Sequence, residues 1–210
     1  MPMPPQLALC FRKPATGTQQ VRHRYDGAMP DTPSTPDMPH LSRLQLSLRD
    51  LLARHRSAAL ATQPADSPAP GAGDALPAPR LSMVPWAWNA QFGCFVLHVS
   101  ALAAHTRAME LHPAVSLLVC AAEVGGEGVH ALERVAIEGV ASTPPPGSVL
   151  ADGARDSYVL RFPEAAFMTD LGDFRFVCIT PSIARHVAGF GAARDVSAHD
   201  LIEALNTQAS

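Results

Sequence analysis

The chain is 210 residues long, which is enough for one ordinary domain but too short for two of full size. Hydrophobic residues make up 47% of it and charged residues 17%, a balance that excludes a wholly disordered chain. The formal net charge of −3 excludes a strongly basic protein. We therefore expect no nucleic-acid partner, because sequence-independent binding to phosphate backbones depends on clustered Lys and Arg.

Prolines divide the chain into patterned and unpatterned parts. Eight of the 20 prolines fall within residues 1–40, and five fall within residues 64–79. Proline fixes φ and lacks a backbone donor, so these densities do not suit a helix interior or a central strand. We predict a disordered N-terminal tail over residues 1–40, one domain over residues 41–210, and a Pro/Ala/Gly-rich loop at 64–79. Met38 directly precedes the first patterned segment, so a start codon assigned too far upstream would explain the tail equally well.

The first half of the domain begins with a helical pattern. From Ser42, leucines recur at three- and four-residue spacing, which predicts an amphipathic helix that ends near Arg56. A short apolar run then precedes the proline-rich loop. Val, Trp and Phe are enriched over residues 80–89 and 93–100, as is typical of strands. Residues 102–111 have a helical pattern that ends before a proline.

The second half of the domain alternates between strands and helices. Residues 114–121 form a buried apolar run, and residues 131–142 follow a Gly-rich turn, so both are predicted strands. Residues 150–170 are ambiguous, and we expect them to be helical in part. Alternating residues over 173–180 predict a strand that opens at the Leu-Gly-Asp-Phe turn at 171–174, and residues 182–190 extend it or pair with it.

A last helix is predicted over residues 197–206, behind a Ser197 cap. The elements together are six or seven strands, many joined by short loops, and three short helices, without an internal repeat. This order favours a mainly β, α+β fold, an antiparallel barrel, over a doubly wound sheet. A dinucleotide-binding turn would need G-x-G-x-x-G, but after Gly189 and Gly191 the third small position is occupied by Arg194.

The cysteines and the longest apolar run bear on metals and membranes. Cys10, Cys94, Cys120 and Cys178 form no CxxC or Cys/His ligand spacing, so we expect reduced thiols and no metal site. The longest apolar run, 114–122, is far shorter than the ~20 residues that span a bilayer, so we expect no membrane partner. The N-terminal apolar patch has prolines before it and basic residues after it, the reverse of a secretory signal, which predicts a cytoplasmic protein.

Polar groups gather at residues 95–107, where a predicted strand runs into the first turn of a helix. A helix N-terminus offers unpaired backbone N–H groups and partial positive charge, and an arginine with two hydroxyls beside it would complete a phosphate site. Ser100, Thr106 and Arg107 supply those groups. The structural alternative is that Ser100 caps the helix and Arg107 is a solvated surface residue.

The order of several motifs resembles a known family. These are Ser-x-Val-Pro at 82–85, Phe-Val-Leu-His-Val-Ser at 95–100, Leu-Ala-x-His-Thr-Arg at 102–107, Val-Ser-Leu-Leu-Val at 115–119, Leu-Glu-Arg-x-x-Ile-Glu-Gly at 132–139 and Arg-His-Val-Ala-Gly-Phe-Gly-Ala-Ala at 185–193. Over roughly residues 41–205, the chain resembles the FMN-binding split barrel of the pyridoxamine 5′-phosphate oxidase superfamily. Within it, the chain is most similar to the haem-utilisation (HugZ-like), CREG-like branch.

The resemblance implies a split β-barrel, a homodimer with the flavin site at its interface, and an FMN-dependent oxidoreductase of a small-molecule substrate, with haem as a further substrate or ligand. It places the flavin phosphate on Arg107, with His105 and Thr106. Arg134 would reach the partner's flavin. The ribityl chain and ring would lie against two strand segments, which comprise Ser82, Met83, Val84, Pro85, His98, Val99 and Ser100. The catalytic residues are not implied.

Two positions depart from the oxidases. Arg107 stands where they usually have Lys, and either cation holds a phosphate. Arg134 stands where they carry Gln, and the sequence shows no Arg- and Trp-containing segment of the kind that helps them bind pyridoxal phosphate. Arg134 in place of Gln and the missing Arg- and Trp-containing segment argue against pyridoxamine phosphate oxidation itself. The alternative function is a flavin-free, CREG-like ligand-binding or regulatory barrel without enzymatic activity.

Histidines and tryptophans allow further hypotheses. Three histidines within residues 98–112 could be argued as a metal or haem ligand set, and His186 as a haem contact, but no carboxylate accompanies them at ligand spacing. Trp86 and Trp88 alternate on a predicted strand, so they face one side. They would form either an aromatic wall of the flavin or substrate pocket or, as we prefer, part of the barrel core or of the dimer interface.

Overall fold

The structure is a computed structural model and describes residues 42–68, 77–126, 128–189 and 191–207. The tail predicted at 1–40 and the centre of the loop predicted at 64–79 lie outside the described residues. The described flanks of that loop contain neither helix nor strand. Within the described residues, no helix is long and apolar enough to cross a membrane.

Four α-helices and eight strands make up the described part of the chain. The helices are α1 (Arg43–Arg54), α2 (Ala104–Leu111), α3 (Val149–Arg161) and α4 (Ala198–Asn206). The strands are β1 (Ser57–Thr62), β2 (Arg80–Pro85), β3 (Ala87–Asn89), β4 (Cys94–Ser100), β5 (Ala114–Cys120), β6 (Arg134–Ser142), β7 (Phe174–Val187) and β8 (Ala193–Ser197). Short 3-10 segments lie at Val129–Ala131 and Pro163–Asp170.

The strands form one antiparallel sheet in the order β2-β1-β5-β6-β7-β4-β3, and β8 pairs with β7. The long strand β7 is shared between neighbours, because its N-terminal half pairs with β4 and its C-terminal half pairs with β8. The sheet curls around its core and divides along β7. The predicted fold class, a mainly β antiparallel split barrel with flanking helices, is confirmed.

Helix α1 closes one side of the core. It begins as predicted at Ser42, whose Oγ accepts from the Gln45 N–H at 3.3 Å while the Gln45 side chain accepts from the Ser42 N–H at 2.9 Å. This capping box satisfies two backbone donors that would otherwise be free. Leu48, Leu51 and Leu52 then point into the barrel and are fully buried. The leucine spacing that predicted the helix is therefore the spacing of its core face.

Strand β4 is buried on both faces, which decides where its side chains go. Phe95, Leu97 and Val99 point into the main core. The alternate residues, among them Val96 and His98, point to the opposite face of the sheet, where Tyr158 of α3 covers them. A strand buried on both sides has a nearly continuous apolar sequence, so alternation does not reveal which face is which.

The strand predicted over residues 80–89 is two strands in the structure, because Trp86 interrupts it. The Trp86 N–H donates to the Arg56 carbonyl at 3.1 Å, outside the sheet ladder. The Trp86 ring is 1% exposed and lies edge-on to Phe95 at 5.2 Å, and the Trp88 ring does the same at 5.0 Å. Both tryptophans therefore pack against the core, as preferred from the sequence.

Other boundaries differ from the sequence predictions. The second helix begins at Ala104 instead of residue 102, and the strand predicted from residue 131 begins at Arg134, after a 3-10 turn. The ambiguous segment 150–170 is α3 followed by 3-10 structure. The strand predicted at 173–180 is confirmed and continues to Val187. Strand β8 was not predicted, because its sequence is short and charged, which is typical of an edge strand.

Candidate functional site

A cavity of about 660 Å³ opens between β2, the end of β1 and the first two turns of α2. Thr62 lies where β1 ends, Arg80 and Ser82 project from β2, and His105 and Arg107 project from α2. The β1–β2 pairing, in which Thr62 lies opposite Arg80, fixes one wall. The cavity therefore joins two segments that the sequence separates by more than twenty residues, and it contains part of the predicted phosphate site.

The lining of this cavity is cationic. Within the described residues, neither the Arg80 nor the Arg107 guanidinium forms a hydrogen bond or an ion pair. Among the described lining residues, Asp66 is the one carboxylate. Two guanidiniums against one carboxylate favour an anionic ligand, and the planar guanidinium matches a carboxylate or a phosphate with two parallel hydrogen bonds.

A hydrogen bond between His105 and Ser82 connects the two walls. His105 Nδ1 lies 3.2 Å from Ser82 Oγ. Burial lowers the pKa of His105 below its usual value of 6.5, so the imidazole is neutral at neutral pH. With Nδ1 engaged by Ser82, Nε2 is the ring nitrogen left to interact with a ligand.

The first turn of α2 lines the cavity, but the Ser100 and Thr106 hydroxyls predicted beside it do not. The N-cap is Ala103, which makes no side-chain hydrogen bond, so Ser100 does not cap the helix. Ser100 Oγ instead accepts from the Leu102 N–H at 3.2 Å. Thr106 is 1% exposed, and its hydroxyl donates to the Ser100 carbonyl at 2.6 Å. Thr106 therefore fixes the junction of strand and helix, and His105 and Arg107 are the polar side chains of this turn that line the cavity.

Most of the predicted pocket wall lies elsewhere in the structure. Of the seven wall residues predicted on the two strand segments, only Ser82 is among the described residues that line the cavity. Val84 and Val99 are core side chains. Met83 and Pro85 are exposed beyond the cavity on β2, and Ser100 lies at the end of β4 beside Asp173.

His98 is also remote from the cavity, because it faces the other side of the sheet. Its ring lies 5.0 Å from the Phe174 ring, 4.7 Å from the Phe176 ring and 5.4 Å from the Tyr158 ring. Burial lowers the pKa of His98 below its usual value. His98 therefore packs in an aromatic cluster and does not line the cavity of its own protomer, and its role toward a flavin stays a prediction.

Arg134 lies at a different level of the sheet from the cavity. Thr62 pairs with Val115, and Val115 pairs with Gly139, so Arg134 lies five residues further along β6, or about 17 Å. Its guanidinium donates to the Leu132 carbonyl at 2.9 Å. Arg134 therefore does not line the cavity of its own protomer, and its role toward a partner's site stays a prediction.

Sequence reasoning missed Arg80, Thr62 and Asp66. A signal for Arg80 was present, because residues two apart on a strand share a face, and Ser82 was already a candidate. Thr62 and Asp66 reach the cavity only through the pairing of β1 with β2, which no local pattern records.

His186 is completely buried, which bears on the hypothesis of a haem contact. Its Nε2 lies 3.0 Å from Glu133 Oε1, and Ser47 of α1 donates to the same oxygen. Burial is the main cause that lowers the pKa of His186. Through Glu133, the His186 side chain connects β7 to α1. It is not accessible to a ligand in this conformation.

Comparisons with known proteins show what the chain is similar to. No protein-family model matches it. It is 32% identical over 136 residues to heme oxygenase HutZ of Vibrio cholerae, an alignment that covers 64% of this chain and 76% of that protein. It is 34% identical over 115 residues to the chloroplastic non-canonical heme oxygenase HOZ of Arabidopsis thaliana, which covers 55% of this chain and 33% of that protein.

A solved structure with the same fold is a heme binding protein from Mycobacterium smegmatis. The two superpose with a TM-score of 0.63 at 23% identity, over 78% of this chain and 62% of that chain. This chain therefore spans less than two thirds of the length of the plant and mycobacterial proteins. The identity and coverage of the Vibrio relative, together with the split-barrel fold, show that the chain belongs to the haem-utilisation (HugZ-like) branch of the pyridoxamine 5′-phosphate oxidase-like split-barrel superfamily.

Proposed function

We propose that this chain binds haem as a substrate and takes part in its oxidative degradation. The observation that carries the proposal is the cationic cavity of Arg80 and Arg107 in a member of a family whose relatives are named heme oxygenases. Haem is a planar apolar molecule with two carboxylates, and its propionates are the anions that paired arginines would hold. The cavity of about 660 Å³ is in the range of ordinary small-molecule sites.

The lining residues have separate roles in this proposal. Arg80 and Arg107 lie on different elements, so each can orient one carboxylate, and together they would fix the direction in which the ring enters. His105 is neutral, and Ser82 engages its Nδ1, which leaves a lone pair on Nε2 when Nδ1 carries the proton. A neutral imidazole is a common metal ligand, so His105 is our candidate for the contact with haem iron.

A titration of the full chain with haemin tests this proposal. We expect a saturable shift of the Soret band at one haemin per chain, and its loss, with release of iron, when a reductant and oxygen are supplied. Arg107→Ala should weaken haemin binding, whereas Arg155→Ala should not, since Arg155 lies on α3 and pairs with Asp170 of the following 3-10 segment, away from the cavity. A chain that shifts no Soret band, or an Arg107→Ala variant that binds as tightly as wild type, would refute the proposal.

FMN is the second candidate ligand, and its phosphate suits the same cavity. The residues fit a phosphate dianion, because two guanidiniums and the Ser82 hydroxyl line one cavity beside the uncapped N-terminus of α2. When bound, FMN would supply the electron transfer of a flavin-dependent oxidoreductase, while this chain would hold the phosphate and orient the ring.

Comparing the affinities of the chain for FMN and for riboflavin, which lacks the phosphate, tests whether the cavity holds the flavin phosphate. If the cavity holds the FMN phosphate, the full chain should bind FMN much more tightly than riboflavin, and FMN should compete with haemin. Equal affinity for both flavins would refute phosphate anchoring. Purified chain that takes up neither FMN nor haemin would favour the flavin-free, CREG-like ligand-binding or regulatory barrel.

We also propose that two copies of the chain pair through the outer face of the sheet. The register places Met83, Ala59, Leu118 and Ala136 in one row across β2, β1, β5 and β6, on the side away from the core. Met83 is 72% exposed and Leu118 is 42% exposed, which is costly for a sheet face in water. In such a homodimer, Arg134 of each copy would lie on the shared face and could reach the other copy's site.

Sedimentation equilibrium tests the pairing. Leu118→Arg should convert a dimer into a monomer, because it places a charge in the middle of the apolar row. Leu160→Arg is a matched control, since Leu160 is 85% exposed on α3. A wild-type chain that sediments as a monomer, or a Leu118→Arg variant that stays dimeric, would contradict this interface.

A further inference from the structure

A second cavity, of about 720 Å³, lies on the other side of the loop that follows β1. It is bounded by the C-terminal end of α2 and by the ends of β5 and β6, and of the described residues that line the two cavities, Thr62 is the one they share. Its walls are mainly apolar and include Ala114 and Val140. No arginine is among the described residues that line it, so its chemistry differs from that of the first cavity.

A β-bulge shapes this second cavity. Glu138 pairs with Ile183 and Gly139 pairs with Pro181, so Ser182 is the extra residue on β7. The Ser182 hydroxyl donates to the Glu138 main-chain carbonyl at 3.1 Å. A Cβ at Gly139 would lie 2.6 Å from the Thr180 carbonyl oxygen, so the strands approach here as only glycine permits. The bulge therefore holds Glu138 and Ser182 at the cavity in a fixed arrangement.

The Glu138 carboxylate is the one acidic group among the described lining residues. Within the described residues it accepts no hydrogen bond and forms no ion pair, and Glu138 is exposed; Ser182 bonds to its main-chain carbonyl only. The other ionisable group of the lining is His112, at the end of α2. An apolar slot with a single unengaged carboxylate complements an apolar molecule that carries an ammonium or another N–H donor.

We propose that this second cavity is a binding site for an apolar amine, whose ring packs on Ala114 and Val140, which pair across β5 and β6, and whose ammonium donates to Glu138. The site is independent of the haem proposal, since it uses neither Arg80 nor Arg107. Glu138 and Val140 continue the outward-facing row of β6 that contains Arg134 and Ala136, so the site borders the sheet face through which we propose that two copies pair. Its position beside the first cavity, across a single residue, makes it suited to a second small molecule that acts together with the anionic ligand.

A matched pair of probes tests this site on the full chain: 1-naphthylmethylamine and 1-naphthaleneacetate, which share a ring and differ in charge. Naphthalene fluorescence reports binding of each. We expect the amine to bind at least fivefold more tightly than the carboxylate, and Glu138→Gln to weaken the amine about fivefold while leaving the carboxylate unchanged. Val140→Trp, at an exposed strand position, should block the amine by filling the slot.

Arg107→Gln is the control for the neighbouring cavity and should not weaken the amine. The proposal fails if neither probe binds, if Glu138→Gln and wild type bind the amine equally, or if Val140→Trp leaves binding intact. It also fails if Arg107→Gln weakens the amine as much as Glu138→Gln does. A thermal unfolding midpoint equal to wild type confirms that each variant is folded, and failure of haemin binding would leave these outcomes unaffected.

Discussion

Replacing Gly139 with alanine tests how tightly β6 and β7 are held together at the bulge. The added Cβ would lie 2.6 Å from the Thr180 carbonyl oxygen and 2.8 Å from Ile179 Cγ2. Because a Cβ contact is essentially never closer than 3.0 Å, the backbone must shift by at least 3.0 − 2.6 = 0.4 Å. The obstacle is main chain in the middle of the sheet, so no side-chain rotation relieves it.

Overpacking of this kind costs about 1–3 kcal/mol, and we expect about 2 kcal/mol for Gly139→Ala. At about 2–4 °C per kcal/mol for a domain of this size, the thermal midpoint should fall by about 4–8 °C. Urea denaturation and calorimetry measure the two quantities. Gly172→Ala is the matched control, because a Cβ there meets nothing within 4 Å. If Gly139→Ala is as stable as Gly172→Ala, the close approach of the two strands is refuted.

Three further stability predictions follow from single sites. Burial lowers the pKa of His98 and of His105, so the unfolded chain takes up protons below about pH 6.5 that the folded chain resists. The free energy of unfolding should therefore be highest above pH 6.5 and fall as the pH drops below it. His98→Phe should flatten this dependence of the unfolding free energy on pH, and a variant with the same pH dependence as wild type would contradict the prediction. Ser42→Ala removes the side-chain cap that bonds to Gln45 and should cost about 1 kcal/mol in urea denaturation, with no loss disproving the capping box. Phe95→Ala empties the space between two tryptophan rings and should cost about 3–5 kcal/mol, whereas a cost under 1 kcal/mol would show that the ring is not in the core.

The fold was predictable from local patterns to a large extent. Leucine spacing and the Ser42 cap located α1, because that helix has one apolar face and a clear start signal. The tryptophan break in the strand at 80–89 was not predictable, since the Trp86 N–H leaves the ladder to bond to Arg56, a contact across thirty residues. Strand β8 was not predicted because edge strands are short and charged, so their sequence resembles that of a loop.

The candidate site was predictable only in part, for a geometric reason. Arg107 and His105 line the cavity, and the sequence could point to them because a strand-to-helix junction is a local feature. His98 lies on the sheet face away from the cavity, which the sequence did not reveal because β4 is buried on both faces and its apolar neighbours do not show which side meets the cavity. The roles of all three toward a flavin stay predictions. Arg80 enters the cavity through the register of β1 with β2, and Glu138 enters the second cavity through a bulge, so both depend on strand pairing.

The central claim is that the arginines of the first cavity hold the anionic groups of the ligand. Haemin dissociation constants of wild type, Arg80→Gln, Arg107→Gln and the double variant test it most directly, with Arg155→Gln as the surface control. A charge-assisted hydrogen bond in a partly solvated cavity is worth about tenfold in affinity. We predict about a tenfold loss for each single variant, a larger loss for the double variant and none for Arg155→Gln. Equal affinities across all five proteins would contradict the account.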